Sequence, residues 1–283
     1  MKDKKGPLLV FIAAVLFSMG GLLIKKIPWQ AIPLNGARCL ISVCVLGTYM
    51  LLTHQKLVVN KGVFLGAFCS FGTNILYTIA NKMTTAANTI VLQFTAPVFI
   101  ILFMWMFYRE KPKGRDLITC AAVFIGILFF FLDSMEAGNM VGNILALISG
   151  ATYAGVFMMN KFDGASPISS VFFGHSISAV IGFPSLLRQT DFSGTVVTGI
   201  LVLGVFQMAI AYICLTKGLL TTPPVTASLV SGIEPVLNPI LVAVFYHEYI
   251  STLSIIGAVI VIGSILLYNV VSSRAENAEN PAN

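Results

Sequence analysis

Charge is scarce in this sequence, and so is every short motif that announces soluble chemistry. Only 10% of the 283 residues are Asp, Glu, Lys or Arg, against roughly 25% in an ordinary globular domain. There is no G-x-S-x-G, no G-x-x-x-x-G-K-[ST] and no G-x-G-x-x-G, so the common hydrolase and nucleotide sites are excluded. His54, His175 and His247 stand far apart, and His247-Glu248-Tyr249-Ile250-Ser251 is not the zinc motif H-E-x-x-H. The five cysteines, Cys39, Cys44, Cys69, Cys120 and Cys214, lie inside apolar runs without a C-x-x-C, which predicts buried small hydrophobes. An enzyme, a metal site and a cofactor are therefore not expected, and transport driven by ATP is not expected of this chain alone.

Apolar length is what the sequence has instead. It is 57% hydrophobic with a mean hydropathy of +0.91, which calls for lipid rather than water around much of its surface. Apolar runs fall at about 7–24, 33–53, 62–81, 85–108, 116–132, 140–159, 167–187, 195–216, 224–246 and 252–271. Each is near the ~20 residues that cross a bilayer as a helix. The first follows Lys2, Lys4 and Lys5 but has no clear A-x-A site, so it reads as a retained helix, not a signal peptide. The net charge of +6 does not form one patch, and nucleic acid is not an expected partner. Placing the N-terminus inside puts twelve Lys and Arg in cytoplasmic links (Lys2, Lys4, Lys5, Lys56, Lys61, Arg109, Lys111, Lys113, Arg115, Lys161, Lys217, Arg274) and four outside (Lys25, Lys26, Lys82, Arg188). The positive-inside rule then sets both termini in the cytoplasm.

The chain also repeats itself. An offset of 138 residues places Thr84 on Thr222, Pro97 on Pro235, Val98 on Val236, Gly66-x-Phe68 on Gly204-x-Phe206, and Phe107-Tyr108-x-Glu110 on Phe245-Tyr246-x-Glu248. A shared offset over two long segments signals duplication. Five spans per copy is an odd number, so the second copy crosses in the opposite sense, a common plan for secondary transporters. The expected fold is all-α and integral to the membrane, with ten transmembrane helices as two inverted five-helix repeats at residues 1–134 and 138–272. Residues 273–283 read as a disordered cytoplasmic tail.

Gln93-Phe94-Thr95-Ala96-Pro97-Val98 running to Tyr108-Arg109-Glu110-Lys111-Pro112 resembles the fourth helix of EamA-type members of the drug/metabolite transporter superfamily. Glu234-Pro235-Val236 running to Glu248 resembles the matching ninth helix, and Arg38 sits where the family often has an arginine in helix two. His247 departs from the family's usual glycine. The resemblance implies a central pathway lined by helices one to four and six to nine, with helices five and ten peripheral. It implies a secondary transporter of a small organic solute, with export of an amino acid or related metabolite the commonest case and uptake beside it.

Polar side chains within the spans mark where such a pathway runs, since each costs free energy in hydrocarbon unless it faces protein or water. Ser70, Asn74, Tyr77 and Asn81 share a helix face by their spacing, as do Thr85, Asn88 and Thr95 with Gln93 beside them, and Ser231, Glu234 and Asn238. Ser149, Tyr153 and Asn160 form another stripe, and Gln207, Tyr212 and Thr216 mark the eighth span, with Tyr212 opposite Asn74 under the repeat. Helix–helix hydrogen bonding is the other reading of each stripe. Glu234 lies near mid-span, where a carboxyl must be paired, protonated or wet, so it is a candidate for proton coupling, for a cationic group, for a gate, or for holding the kink. Pro97 and Pro235 predict kinks that free the carbonyls of Gln93 and Ser231. Arg38 lies close enough to its span's edge to snorkel, or else pairs with Glu234 or captures a carboxylate. Lys25 and Lys26 read as interfacial anchors, and Glu110 and Glu248 as helix-end or gate contacts. The expected partners are a small-molecule solute and the bilayer, with no nucleotide, in the inner membrane of a prokaryote. A channel or a non-transporting membrane scaffold is the rival reading, and an importer of a small cationic or zwitterionic solute a further one.

Overall fold

In a computed structural model, which describes residues 5–84, 86–131, 139–237 and 252–279, every regular element among the described residues is a helix. Ten helical segments follow one another: α1 Lys5–Lys26, α2 Ala31–Leu52, α3 Lys61–Met83, α4 Asn88–Tyr108, α5 Gly114–Phe131, α6 Met140–Phe157, α7 Pro167–Leu186, α8 Gly194–Leu219, α9 Pro224–Leu237 and α10 Thr252–Glu279. Seven of them are long and apolar enough to cross a membrane by length and composition. The other three are α5, whose first turn carries Arg115 and Asp116, α9, described only to Leu237, and α10, whose apolar stretch is Ile255–Tyr268. Helix α10 runs to Glu279, past residue 273, where the sequence reading begins the tail. Ala275, Glu276, Ala278 and Glu279 favour helix intrinsically, which accounts for the extension.

Local chemistry sets several ends. Asn60 caps α3 by accepting from the Val63 amide at 2.8 Å, and Asn139 caps α6 by accepting from Val141 and Gly142. Pro167 and Pro224 open α7 and α9, where a missing N–H costs nothing. Arg109, with φ of 56°, ends α4 in the left-handed region, and the Glu110 amide bonds back to the Met104 carbonyl at 3.1 Å. Large apolar side chains such as Phe68, Phe107, Val180 and Leu266 lie on the outside of the bundle, as a lipid solvent requires.

The packing repeats with the sequence. Helix α3 packs on α6 and α7 of the second half, and its counterpart α8 packs on α1 and α2 of the first. Helix α2 crosses its own counterpart α7, and α5 lies along its counterpart α10. Small residues allow these approaches. At the α2–α7 crossing, a Cβ added to Gly36 would sit 2.6 Å from the Cα of Gly182. At the α5–α10 contact, one added to Gly126 would sit 2.8 Å from Val261.

Candidate functional site

Four helices are irregular near mid-span. Helix α1 breaks at Ser18–Met19, α4 at Phe94–Thr95, α9 at Ser231–Gly232, and α8 widens into a π-helix over Leu203–Ile210. The breaks in α4 and α9 fall within one residue of each other under the 138-residue offset. Non-helical or widened backbone at membrane depth is tolerated where it borders protein or a wet cavity, and π segments concentrate at functional sites. One kink detail differs from expectation. The Ser231 carbonyl is not left free, because the Glu234 amide donates to it at 2.9 Å, tightening the turn ahead of Pro235.

These irregular helices enclose a central cavity of about 30 Å³, lined by Phe17, Arg38, Thr73, Asn74, Tyr77, Gln93, Tyr153, Gln207, Tyr212 and Glu234. That volume holds roughly two waters. Eight of the sequence-predicted residues meet there: Arg38, Asn74, Tyr77, Gln93, Tyr153, Gln207, Tyr212 and Glu234. Phe17 and Thr73 were not foreseen. Asn74 and Tyr212, equivalent under the repeat, touch each other, with Asn74 Nδ2 3.2 Å and Oδ1 3.4 Å from the Tyr212 hydroxyl. The pseudo-twofold axis of the duplication therefore passes through the floor of the cavity.

Arg38 is corrected in both respects. It is fully buried (0% exposed) rather than snorkelling, and its hydrogen-bond partners among the described residues are neutral oxygens rather than Glu234. Nε and Nη2 donate to Asn35 Oδ1 at 3.3 and 3.0 Å, Nη2 also reaches the Asn74 carbonyl at 3.2 Å and the Thr78 hydroxyl, and Nη1 reaches Gln207 Oε1 at 3.4 Å. Its depth follows from its place in the fold, since α3 and α8 close over that face of α2. Glu234 is 9% exposed and lines the cavity together with Tyr153 of α6. Its Oε2 has no hydrogen-bond partner among the described residues.

Two expected pathway residues lie elsewhere. Asn88 is corrected to a seam at one end of the bundle, bonding Thr84 and Asn143. Ser231 is buried behind the cavity wall, with its hydroxyl unpartnered among the described residues. Asn238 lies outside the described residues, as do His247 and Glu248. Sequence reasoning set aside His175, yet it is wholly buried directly behind the axis pair. Its Nδ1 lies 2.9 Å from Ser42 Oγ, Asn74 Nδ2 donates to its Nε2 at 3.3 Å, and its ring meets that of Tyr212 edge-on at 4.8 Å. Asn74 Nδ2 also donates to the Ser70 carbonyl at 2.9 Å, so its second N–H is shared between His175 Nε2 and the Tyr212 hydroxyl. The lone histidine of the seventh span is the signal that could have found it.

Both ends of the bundle are tied across the halves. At one, Thr84 donates to Asn143 at 2.8 Å and the Trp29 indole to the Asp191 carbonyl at 3.0 Å, beside two bonds within the first half, Lys25 to the Thr84 carbonyl at 2.8 Å and Lys82 to the Ile27 carbonyl. At the other, Lys161 pairs with Glu110 at 2.9 Å and the Tyr108 hydroxyl donates to the Lys161 carbonyl at 2.9 Å. Beside that second tie lies a depression of about 450 Å³ lined by Glu110, Lys113, Asn160, Lys161 and Thr222 among others. Among the described residues no group of His, Cys, Asp and Glu is arranged to hold a metal ion.

A duplicated helical bundle sized for the bilayer, with a polar cavity on its axis, defines a multi-pass membrane transporter of the drug/metabolite class rather than an enzyme. The chain belongs to the EamA-like transporter family, whose model matches residues 4–132 and 140–270. Among its relatives is an uncharacterized transporter of Clostridium kluyveri, 29% identical over 214 residues, covering 71% of this chain and 68% of that protein. An uncharacterized transporter of Synechocystis is 23% identical over 275 residues, covering 92% and 82%. Mouse solute carrier family 35 member G1 is 30% identical over 122 residues, covering 41% of this chain and 33% of the carrier. A crystal structure at 16% identity superposes with a TM-score of 0.81 over 97% of this chain and 99% of that one, a likeness of fold alone.

Proposed function

We propose that the protein is a secondary transporter that moves a small organic solute across the cytoplasmic membrane of a prokaryote by alternating access. Its two halves, residues 1–134 and 138–272, rock about the Asn74–Tyr212 axis. The observation that carries this reading is the cavity itself: polar, water-sized, central to the repeat, and closed at both ends by contacts between the halves. A solute larger than two waters enters only when one tie opens. With both termini cytoplasmic, the Glu110–Lys161 end faces the cytoplasm and the Lys25–Thr84 end faces outward. Amino acids and related metabolites are the class to test first, in the direction of export. Glu234 is the proposed proton-coupling group, and Arg38 the fixed charge opposite it.

The test is a solute panel on purified protein in liposomes, with and without a pH gradient. Saturable uptake with counterflow supports the reading, and loss of the gradient's effect in Glu234→Gln supports the coupling role. Flux without counterflow would mark a channel. No flux for any solute, in protein shown to be folded, would leave a scaffold.

A further inference from the structure

The duplication gives the two ends of the bundle equivalent positions, but only one of them is filled. At the Thr84 end, Thr84 donates to Asn143 and Asn88 reaches both, so side chains close the seam. The 138-residue offset carries Thr84 to Thr222 and Asn88 to Thr226. Both of these line the open depression of about 450 Å³ at the Glu110–Lys161 end. Thr222 is only 4% exposed, yet its hydroxyl has no hydrogen-bond partner among the described residues.

The same depression carries cations that the described chain does not neutralise. Lys113, Arg115 and Lys161 line it with Glu110 and Asp116. Lys161 is matched by Glu110 at 2.9 Å. Asp116 accepts from the Tyr268 hydroxyl at 3.0 Å and stands 3.8 Å from Arg115 Nε, beyond hydrogen-bond reach. Arg115 Nε is buried without a hydrogen-bond partner, and Lys113 has no ion pair, among the described residues. A guanidinium short of acceptors beside an unpaired ammonium is a donor set for a phosphate group.

The depression also continues toward lipid. Tyr268 ends the apolar stretch of α10, Ile255–Tyr268, at the depth where tyrosines mark a membrane interface. One turn further along the same two helices, Val230 of α9 and Ile265 of α10 join Pro7 and Phe11 of α1 around an apolar groove of about 210 Å³. Helix α1 borders both spaces, since a Cβ added to Gly6 would sit 2.7 Å from the Thr222 hydroxyl.

We infer that this face holds one anionic phospholipid, its phosphodiester on Lys113 and Arg115 and an acyl chain in the groove of α1, α9 and α10. Basic pockets between helices at a membrane surface take anionic headgroups in this way. A zwitterionic lipid brings the same phosphate with a quaternary ammonium, which the cations of the depression repel. The site is separate from the central cavity and goes beyond the transporter reading, so neither stands or falls with the other.

The test is native mass spectrometry of the full-length protein, titrated in detergent with dioleoyl phosphatidylglycerol or dioleoyl phosphatidylcholine. Surface attraction is worth about fivefold per basic residue, so two should favour the first phosphatidylglycerol by about 30-fold over phosphatidylcholine. Lys113→Gln with Arg115→Gln should bring that preference within about threefold. Phosphatidylglycerol with a diazirine in its acyl chain should cross-link to α1, α9 or α10. Millimolar inorganic phosphate or glycerol 3-phosphate should not displace the lipid. Should the double variant not fold, the lipid pair and the cross-links on the wild type decide alone. Equal first-site binding of the two lipids overturns the site, as does an unchanged preference in the folded double variant or cross-linking confined to other helices. Displacement by either soluble anion overturns lipid as the occupant.

Discussion

Gly182→Ala, set against Gly47→Ala, probes the α2–α7 crossing that joins the two halves. A methyl on Gly182 would lie 2.9 Å from both the Gly36 amide nitrogen and the Ile32 carbonyl oxygen, and closer still to the Gly36 Cα. These are backbone atoms, which cannot rotate away as a side chain can. A methyl on Gly47 meets only the Phe172 ring, at an ordinary 3.6 Å. Both substitutions gain the same helix propensity, about 1 kcal/mol for Gly to Ala, so the gain cancels between them. What remains is the overpacking at Gly182, about 1–3 kcal/mol. The assay is thermal unfolding in detergent, with size-exclusion profiles before heating. Gly47→Ala should melt at or above the wild type and Gly182→Ala clearly below it. Equal melting of the two variants would refute the close crossing.

Other outcomes follow from the same geometry. Arg38→Lys should abolish transport as fully as Arg38→Gln, because a point charge cannot serve Asn35, Thr78, Gln207 and the Asn74 carbonyl together; tracer counterflow checks it. His175→Phe should lower stability by about 1–3 kcal/mol by leaving the buried Ser42 hydroxyl without its partner, with partial recovery in His175→Asn, read by the same melts. Lys161→Ala should change stability by less than about 1 kcal/mol, since the pair's side chains are 37% and 54% exposed. It should nevertheless speed labelling of a cysteine placed at Thr222, in the adjoining depression.

Hydropathy and duplication made much of this fold legible before any coordinates. The apolar runs start within a few residues of the helices, and the offset that aligns Pro97 with Pro235 also brings Asn74 to Tyr212. The misplacements have physical causes. Stripe reasoning assumes an unbroken helix, but α4 turns at Phe94–Thr95 and α9 at Ser231–Gly232. Residues on either side of a break no longer share a face, which is why Ser231 leaves the cavity that Glu234 reaches, while Asn88, on the same side of its break as Gln93, sits nearer the end of the bundle beside Asn143. Distance to a span's edge misjudged Arg38, because depth in a bundle is set by neighbouring helices as well as by position along one. His175 carried no periodic signal, being a single polar ring whose partners Ser42 and Asn74 come from two other helices.

The central claim is that one cavity is reached from either side of the membrane in turn. Thr73→Cys in a background without the five native cysteines places a small reporter on the cavity wall. Membrane-impermeant maleimides applied to sided proteoliposomes should label it from both faces, and a cross-link between positions 110 and 161 should leave labelling from the opposite face alone. Labelling from neither face, or from one face whatever the cross-link, would contradict the account.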